Sequence, residues 1–224
     1  MANRGILSIS AGLLMMLTTG LSPSAAAQPV QGQRLPAGTA VPDGYRQVAG
    51  EYGVPAEALY SVSLAESSRR LPQGERPWPW TLNVAGKGYR YATREEAYQA
   101  LLGFMRRYPL RRIDVGIAQV NLGWNGGYFR SYREALEPYT NLRAAAQILR
   151  HCYDLNPGSW LQAAGCYHHP AGGKPARTYR AIVQRKLATI ASVDPGPRST
   201  AHLSPVTATE TALRWAEPQM PGEH

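Results

Sequence analysis

The feature that most constrains this chain is a succession of short helical patterns, separated by Pro and Gly, with little strand-like alternation between them. Within each pattern, apolar residues recur at intervals of three and four, which places them on one face of a helix. The patterns lie at about 42–52, 55–66, 93–105, 138–153, 159–167 and 176–190. Because 224 residues supply one sizeable core and little more, we expect a single, mainly α domain over residues 42–192.

The two ends of the chain differ in composition from this middle part. Arg4, an apolar run over 6–21 and three alanines ending at Ala27 form a signal-peptide pattern, which predicts residues 1–27 to be cleaved off. A membrane anchor is the competing interpretation, but the run is short and is interrupted by Ser and Thr. Residues 28–41 predict a flexible lead-in, and the Pro-rich residues 193–224 predict a disordered tail. We therefore expect an exported, periplasmic protein with no stable membrane span after cleavage.

The net charge and the cysteine content of the chain limit the partners and the compartment that we expect for it. The net charge of +9 suits nucleic acid, an anionic lipid surface or an anionic wall polymer. The sequence contains no nucleic-acid-binding fingerprint, which favours the wall polymer over nucleic acid. Cys152 and Cys166 are expected to form a disulfide in an oxidising compartment, with two buried thiols as the alternative. The adjacent His168 and His169 point to different faces of a predicted helix, so we expect no metal site and no cofactor.

Glu66 lies on a face of the second predicted helix that is otherwise apolar. Leu59 and Val62, seven and four residues earlier, share this face. A buried carboxyl is costly without a partner or a role, and both burial and the negative end of a helix favour its protonated form. A general acid needs that form near neutral pH. The competing interpretation is a helix-end Glu that pairs with Arg69 or Arg70.

Four short motifs around Glu66 resemble, in order and rough spacing, those of the soluble lytic transglycosylase (SLT) family. They are Leu64-Ala65-Glu66-Ser67-Ser68, Gly116-Ile117-Ala118-Gln119-Val120, Asn141-Leu142 and Ala163-Ala164-Gly165-Cys166-Tyr167-His168. The resemblance covers residues 42–190 and implies a lysozyme-like fold. It implies that Glu66 is the catalytic acid, supported by Ser67. It also implies that Gln119 lines the glycan groove and that the Tyr167 hydroxyl approaches the catalytic carboxyl.

The chain departs from the SLT pattern in three places. Ala118 stands where Met is common, and His168 stands where Asn is usual. A Pro- and Trp-rich segment containing PWPWTLNV, predicted to be an irregular loop, replaces a shorter one. This segment and the Tyr-His-His-Pro sequence at 167–170 resemble the specialised transglycosylases of conjugation and type IV secretion systems. The resemblance therefore implies such an apparatus as a partner and peptidoglycan glycan strands as the substrate.

Most glycosidases use two carboxylates, and no clear partner for Glu66 is visible in the sequence. The acidic residues before Gln119 are Glu75 in the predicted loop, Glu95 and Glu96 in a capping box and Asp114 at the predicted cap of a short turn. The SLT resemblance implies a reaction without a second carboxylate, in which the 6-hydroxyl of N-acetylmuramic acid closes a 1,6-anhydro ring. A hydrolytic muramidase that uses Asp114 or Glu75 with a water remains an alternative. A glycan-binding module without activity is another.

The remaining candidates for substrate contact are two asparagines and three tryptophans in predicted loops. The amides of Asn83 and Asn121 suit the hydroxyl and acetamido groups of sugars. Trp78, Trp80 and Trp124 are candidates for stacking on the apolar faces of sugar rings. The alternative interpretation is that these tryptophans pack locally and hold the predicted loops in place.

Overall fold

The computed structural model describes residues 40–72 and 74–190, which are mainly α-helical, as predicted. The helices of this part are α1 (Asp43–Glu51), α2 (Ala56–Ser67), α3 (Arg94–Met105), α4 (Leu122–Asn125), α5 (Pro138–Leu155), α6 (Trp160–His168) and α7 (Gly173–Leu187). The predicted signal peptide, all but the end of the lead-in, and the predicted tail lie outside the described residues. Within the described ranges, no helix combines the length and the apolar character that a membrane span requires.

Local signals explain where the helices begin. Thr93 Oγ1 accepts a hydrogen bond from Glu96 N at 3.2 Å, and Glu96 Oε2 accepts one from Ala92 N at 3.0 Å. This is the predicted capping box of α3, and it satisfies two backbone donors at the start of the helix. At α5, Pro138 occupies the first turn, and Glu137 accepts a hydrogen bond from Tyr139 N at 3.1 Å.

The segment between residues 69 and 91 is not the irregular loop that composition predicted, because most of it forms two β-hairpins. Strand β1 (Ser68–Leu71) pairs antiparallel with β2 (Gly74–Pro77), and β3 (Thr81–Val84) pairs antiparallel with β4 (Lys87–Arg90). Ala85 and Gly86 join β3 to β4 with φ of 55° and 88°, as a tight hairpin turn requires. Strands of four residues alternate too briefly to show a period, which is why the prediction of a loop was wrong.

Two further strands complete the larger sheet. β5 (Ile113–Val115) pairs with β3, and β6 (Val120–Asn121) pairs with β5, giving the order β4-β3-β5-β6. Asp114 therefore lies within a strand, and its predicted position at the cap of a turn is wrong. Asn121 is a cap instead, because its Oδ1 accepts hydrogen bonds from Gly123 N and Trp124 N at the start of α4.

Buried apolar side chains form two clusters. The helical core is built on α1, α2, α5, α6 and α7, and its largest fully buried members are Tyr45, Leu59, Tyr60, Leu142 and Leu149. The sheet core joins the strands to α3, and its largest members are Trp78, Leu82, Leu101, Ile113 and Leu136. Trp78 and Trp80 belong to the sheet core and are 0% and 3% exposed, so they pack locally and do not offer a face to a sugar.

Cys152 of α5 and Cys166 of α6 form the predicted disulfide, with their Cα atoms 5.7 Å apart. Fourteen positions separate them in sequence. The bond fixes the second half of α6 against α5, just before Tyr167 and His168.

Candidate functional site

Glu66 lies in the last turn of α2, where the helical core meets the first hairpin, and its side chain is 15% exposed. The next residue, Ser67, is fully buried, and its hydroxyl donates to Ile117 O at 2.6 Å. This bond ties the end of α2 to the turn formed by residues 116–119. The position of the Glu66 carboxyl is therefore set by two segments that are fifty residues apart in sequence.

The turn itself is held from behind by Asn141 of α5. Asn141 is fully buried, and its Oδ1 accepts from Ala118 N at 2.9 Å. Its Nδ2 donates to Val115 O at 3.0 Å and to Ala135 O at 2.9 Å. Gly116 has a φ of 84°, and a Cβ there would lie 2.8 Å from Asn141 Oδ1. Only glycine fits this position, because any side chain would meet Asn141 and strain the backbone.

Gln119 closes the turn with a φ of 51°, which is uncommon outside glycine. Its Nε2 donates to Thr81 O at 3.0 Å and to Gly116 O at 2.8 Å. Both amide hydrogens are thus used within the protein, and the side chain is 9% exposed. Gln119 therefore links the turn to β3, and only its Oε1 is left to contact a ligand.

Tyr167 reaches the same turn from α6. Its hydroxyl donates to Ala118 O at 2.7 Å. Burial raises the pKa of Tyr167 well above its usual value, and the charges of Glu66 and Asp114 act in the same direction. The phenol is therefore a neutral hydrogen-bonding group in the immediate environment of the Glu66 carboxyl.

His168, for which the sequence predicted no metal-binding role, lies beside Glu66. Its Nδ1 is 3.7 Å from Glu66 Oε1, and its ring is stacked on that of Tyr179, with centroids 4.3 Å apart and planes 1° from parallel. The Glu66 carboxylate raises the pKa of His168, Asp114 adds to this, and burial opposes it. The signal in the sequence was the departure from the Asn that is usual at this position.

Asp114 is the second carboxylate of the site. Burial and, to a lesser extent, the charge of Glu66 raise the pKa of Asp114 to about 6, against the opposing effects of Asn121 and His168. Asn121 Nδ2 donates to Asp114 Oδ1 at 2.7 Å. The sequence offered Asp114 only as one of two alternative partners for Glu66, and the structure places it where the two carboxyl groups influence each other. Asp114 could not be singled out from sequence because strand pairing brings β5 to the site, and this pairing leaves little trace in the local sequence.

Tyr179 of α7 completes the surroundings of Glu66. Its hydroxyl is buried and has no hydrogen-bond partner among the described residues. Burial raises the pKa of Tyr179 well above its usual value, and Glu66 is the next largest cause. Groups from β5, α6 and α7 thus interact with the Glu66 carboxyl of α2.

The other predicted contacts are placed differently. Asn83 lies opposite Asp114 in the sheet, and its Oδ1 accepts from Gly86 N in the hairpin turn. Asn121 uses both ends of its amide within the protein, since its Nδ2 also donates to Arg111 O. Glu75, the other acidic partner considered, pairs with Lys186 at 2.6 Å. The structure brings Ser67, Gln119 and Tyr167 to the turn beside Glu66, whereas the amides of Asn83 and Asn121 stabilise local turns.

Trp124 differs from the other two candidate tryptophans because it is 78% exposed. It lies on α4, which Asn121 caps with the same side chain that donates to Asp114. An exposed indole next to the acidic part of the site remains available to stack on a sugar ring.

No match to this chain was found among protein-family models, among curated proteins or among solved structures. In the part of the chain that the structure describes, no three His, Cys, Asp or Glu side chains are grouped in a way that would hold a metal ion. The chemistry of the site therefore has to be inferred from its own groups.

Proposed function

We propose that this protein is a lytic transglycosylase of the SLT family with a lysozyme-like fold. It cleaves the β-1,4 bond between N-acetylmuramic acid and N-acetylglucosamine in peptidoglycan and forms a 1,6-anhydro end. One observation carries the proposal: three side chains join the four SLT-like motifs through the backbone of residues 117 and 118. Ser67 donates to Ile117 O, Asn141 accepts from Ala118 N, and Tyr167 donates to Ala118 O. Residues spread over a hundred positions thus form one unit around Glu66.

Each step of this reaction has a group that suits it. Glu66, protonated, donates its proton to the glycosidic oxygen as the bond to C1 of the muramyl sugar breaks. The 6-hydroxyl of that sugar then attacks C1, and the Glu66 carboxylate takes the hydroxyl proton. The acid is regenerated, and no water enters the product. His168 and the buried phenols of Tyr167 and Tyr179 form the polar surroundings of the carboxyl in both forms.

Digestion of purified peptidoglycan by the parent protein and by Glu66→Gln tests the proposal. We expect the parent to release fragments with anhydro ends and Glu66→Gln to lose at least about a hundredfold in rate. Glu57→Gln, at the other end of α2, is the matched control and is expected to keep the parent rate. A Glu66→Gln protein that releases fragments as fast as the parent would rule out Glu66 as the acid.

Hydrolysis is the second candidate, and Asp114 is the observation that favours it. A carboxylate that acts electrostatically on Glu66 is in a place to activate a water, as in enzymes with paired carboxylates. The products distinguish the two reactions, because hydrolysis leaves reducing ends that are heavier by one water. Asp114→Asn is expected to abolish release of reducing ends if hydrolysis occurs, and to leave anhydro products if transglycosylation occurs. A parent protein that binds glycan but releases nothing would support the glycan-binding module instead.

We also propose that the enzyme acts in the periplasm and opens the wall locally for a conjugation or type IV secretion apparatus. This rests on the resemblance of the PWPWTLNV segment and of residues 167–170 to specialised transglycosylases. Replacement of the gene by an allele that encodes Glu66→Gln is expected to lower transfer through the apparatus. Unchanged transfer in a strain that has no other transglycosylase of this type would refute the partner.

A further inference from the structure

We propose that His168 is a positioning residue of this site. Its ring, held flat against Tyr179, keeps the Glu66 side chain in place and, when protonated, stabilises the carboxylate that Glu66 becomes on giving up its proton. The inference rests on the proposed function, since it assigns His168 a part in that reaction. The charge pairing between His168 and Glu66 can also be measured by itself, whether or not the protein is active.

The ring of His168 is placed by the packing of α6 and by a stacked phenol. The disulfide at Cys166 holds α6 against α5 two residues earlier. At Gly165 the helices α6 and α7 approach so closely that a Cβ would lie 3.0 Å from Arg180 Cγ and 3.3 Å from Ala176 O. The parallel stacking on Tyr179 then sets the plane of the imidazole. The packing of α6 thus places the backbone of His168 and the stacking orients its ring, so that Nδ1 faces Glu66.

The contact between His168 and Glu66 is one of charge. At 3.7 Å, the distance from Nδ1 to Oε1 is longer than a hydrogen bond. The charged groups that act on His168 are Glu66 from α2 and Asp114 from β5, and both are acidic. The phenols near the imidazole, Tyr167 on α6 itself and Tyr179 on α7, are neutral because burial raises the pKa of each. The two charged groups that act on His168 therefore both favour its protonated form.

This arrangement has two consequences for catalysis. A neighbouring imidazolium stabilises the carboxylate that forms as Glu66 donates its proton, which accelerates the acid step. The acceleration depends on the charged imidazole, so it is lost as pH rises through the pKa of His168, which Glu66 holds above its usual value. Removal of the imidazole is therefore expected to lower the rate below that pKa and to leave the rate above it unchanged. A purely structural role would lower the rate by the same factor at every pH.

The first test needs no catalysis. NMR titration of the imidazole Cε1–H signals follows His168 directly, and His168→Asn identifies its resonance among the five histidines. We expect the pKa of His168 to be lower in Glu66→Gln than in the parent. In Asp114→Asn the pKa of His168 should also be lower than in the parent, but by a smaller amount. Glu57→Gln is the control and is expected to leave the titration unchanged. If His168 titrates at the same pH in the parent and in Glu66→Gln, the pairing does not exist and the inference is wrong.

The second test compares pH profiles of glycan release by the parent, His168→Asn and His151→Asn. Asn keeps a polar side chain but has no charge, and His151 is an exposed histidine on α5. We expect kcat of His168→Asn to fall roughly fivefold at acidic pH, a modest loss because the His168 side chain is 44% exposed and solvent screens its charge. The difference from the parent should disappear at basic pH, whereas His151→Asn keeps the parent profile.

The two tests separate the possible failures. An active parent whose profile is shared by a folded His168→Asn variant would overturn the role of His168 and leave the proposed function standing. A parent that releases no fragments at any pH would overturn the proposed function, while the NMR titration would still decide the pairing. If His168→Asn does not fold, sequential backbone assignment identifies the His168 signal instead, and its titration in Glu66→Gln still decides whether the two side chains interact.

Discussion

Glu66 and Asp114 reach one site from two regions that are built differently. Glu66 lies in the last turn of a helix of the helical core. Residues on one face of a helix recur at intervals of three and four in the sequence, so the sequence shows which of them pack together. Asp114 comes from the middle of a three-residue strand of the sheet core, positioned by pairing with β3 and β6. The helical region contributes the Glu66 carboxyl, the phenols and His168, and the sheet region contributes the second carboxylate. A site at the junction of two regions can therefore be predicted from sequence only as well as the less predictable of the two regions.

The turn of residues 116–119 joins these two regions, so breaking it should have the largest effect. Gly116→Ala places a Cβ against Asn141 and forces a non-glycine residue to a φ of 84°. We expect a loss of about 4 kcal/mol in the free energy of unfolding, from overpacking and backbone strain together. Urea denaturation measures it. Gly103→Ala, on α3 with nothing near the added methyl, is the control and should be neutral or slightly stabilising.

The helical region was predictable from sequence because its information is local. The apolar spacing located the helices of this region, and it also located α3 of the sheet region, whose predicted capping box at Thr93 the structure contains. Glu66 stood out because it interrupts an apolar face. The predicted bounds differ from the observed ones by a few residues, as at α7, which begins at Gly173 where the pattern began at 176.

The sheet region was not predictable in the same way. Four-residue strands, a Pro-rich composition and pairings between β3 and β5 leave no period in the sequence. Trp78 and Trp80 looked like loop aromatics because nothing local showed that they face a core. The roles of Asn121 and Asp114 depend on their pairing across β5 and β6, so both were assigned differently from sequence. His168 was missed for another reason, since its partner Tyr179 comes from another helix.

Within the helical region, the disulfide should have the next largest effect. Replacement of Cys152 and Cys166 by Ser removes a cross-link between positions fourteen apart. The chain-entropy argument predicts a loss of about 3 kcal/mol under oxidising conditions. Chemical denaturation with and without reductant measures it, and the reduced parent is expected to match the double variant. Equal stability of oxidised parent and double variant would show that the bond contributes nothing to the packing of α5 on α6.

In the sheet region, Asp114→Asn is expected to have a smaller effect and the opposite sign. The pKa of Asp114 is raised to about 6 from 3.8, so the folded state holds a proton that the unfolded state releases between these values. The stability due to the protonated carboxyl is present below about pH 4 and is lost as pH rises to about 6. Asn keeps the acceptor for Asn121 and has no charge, so it should stabilise the protein by about 2 kcal/mol at pH 7.

Thermal denaturation of the parent and Asp114→Asn from pH 4 to pH 7 measures this difference. The gain should shrink toward zero as the pH falls to about 4, because Asp114 is then protonated in both states. Asp154→Asn, which removes a carboxylate exposed on α5, provides a comparison without burial. A gain that does not change with pH would mean that burial of the Asp114 carboxylate is not its cause.

The central claim is that Glu66 acts as the acid of a reaction in which the sugar itself, and not water, supplies the nucleophile. Digestion of peptidoglycan in H₂¹⁸O, followed by mass spectrometry of the new glycan ends, tests this claim most directly. Transglycosylation by Glu66 predicts anhydro ends without ¹⁸O from the parent and from Asp114→Asn, and no release from Glu66→Gln. Reducing ends that carry one ¹⁸O, released by the parent and lost in Asp114→Asn, would contradict it and identify a hydrolase with two carboxylates.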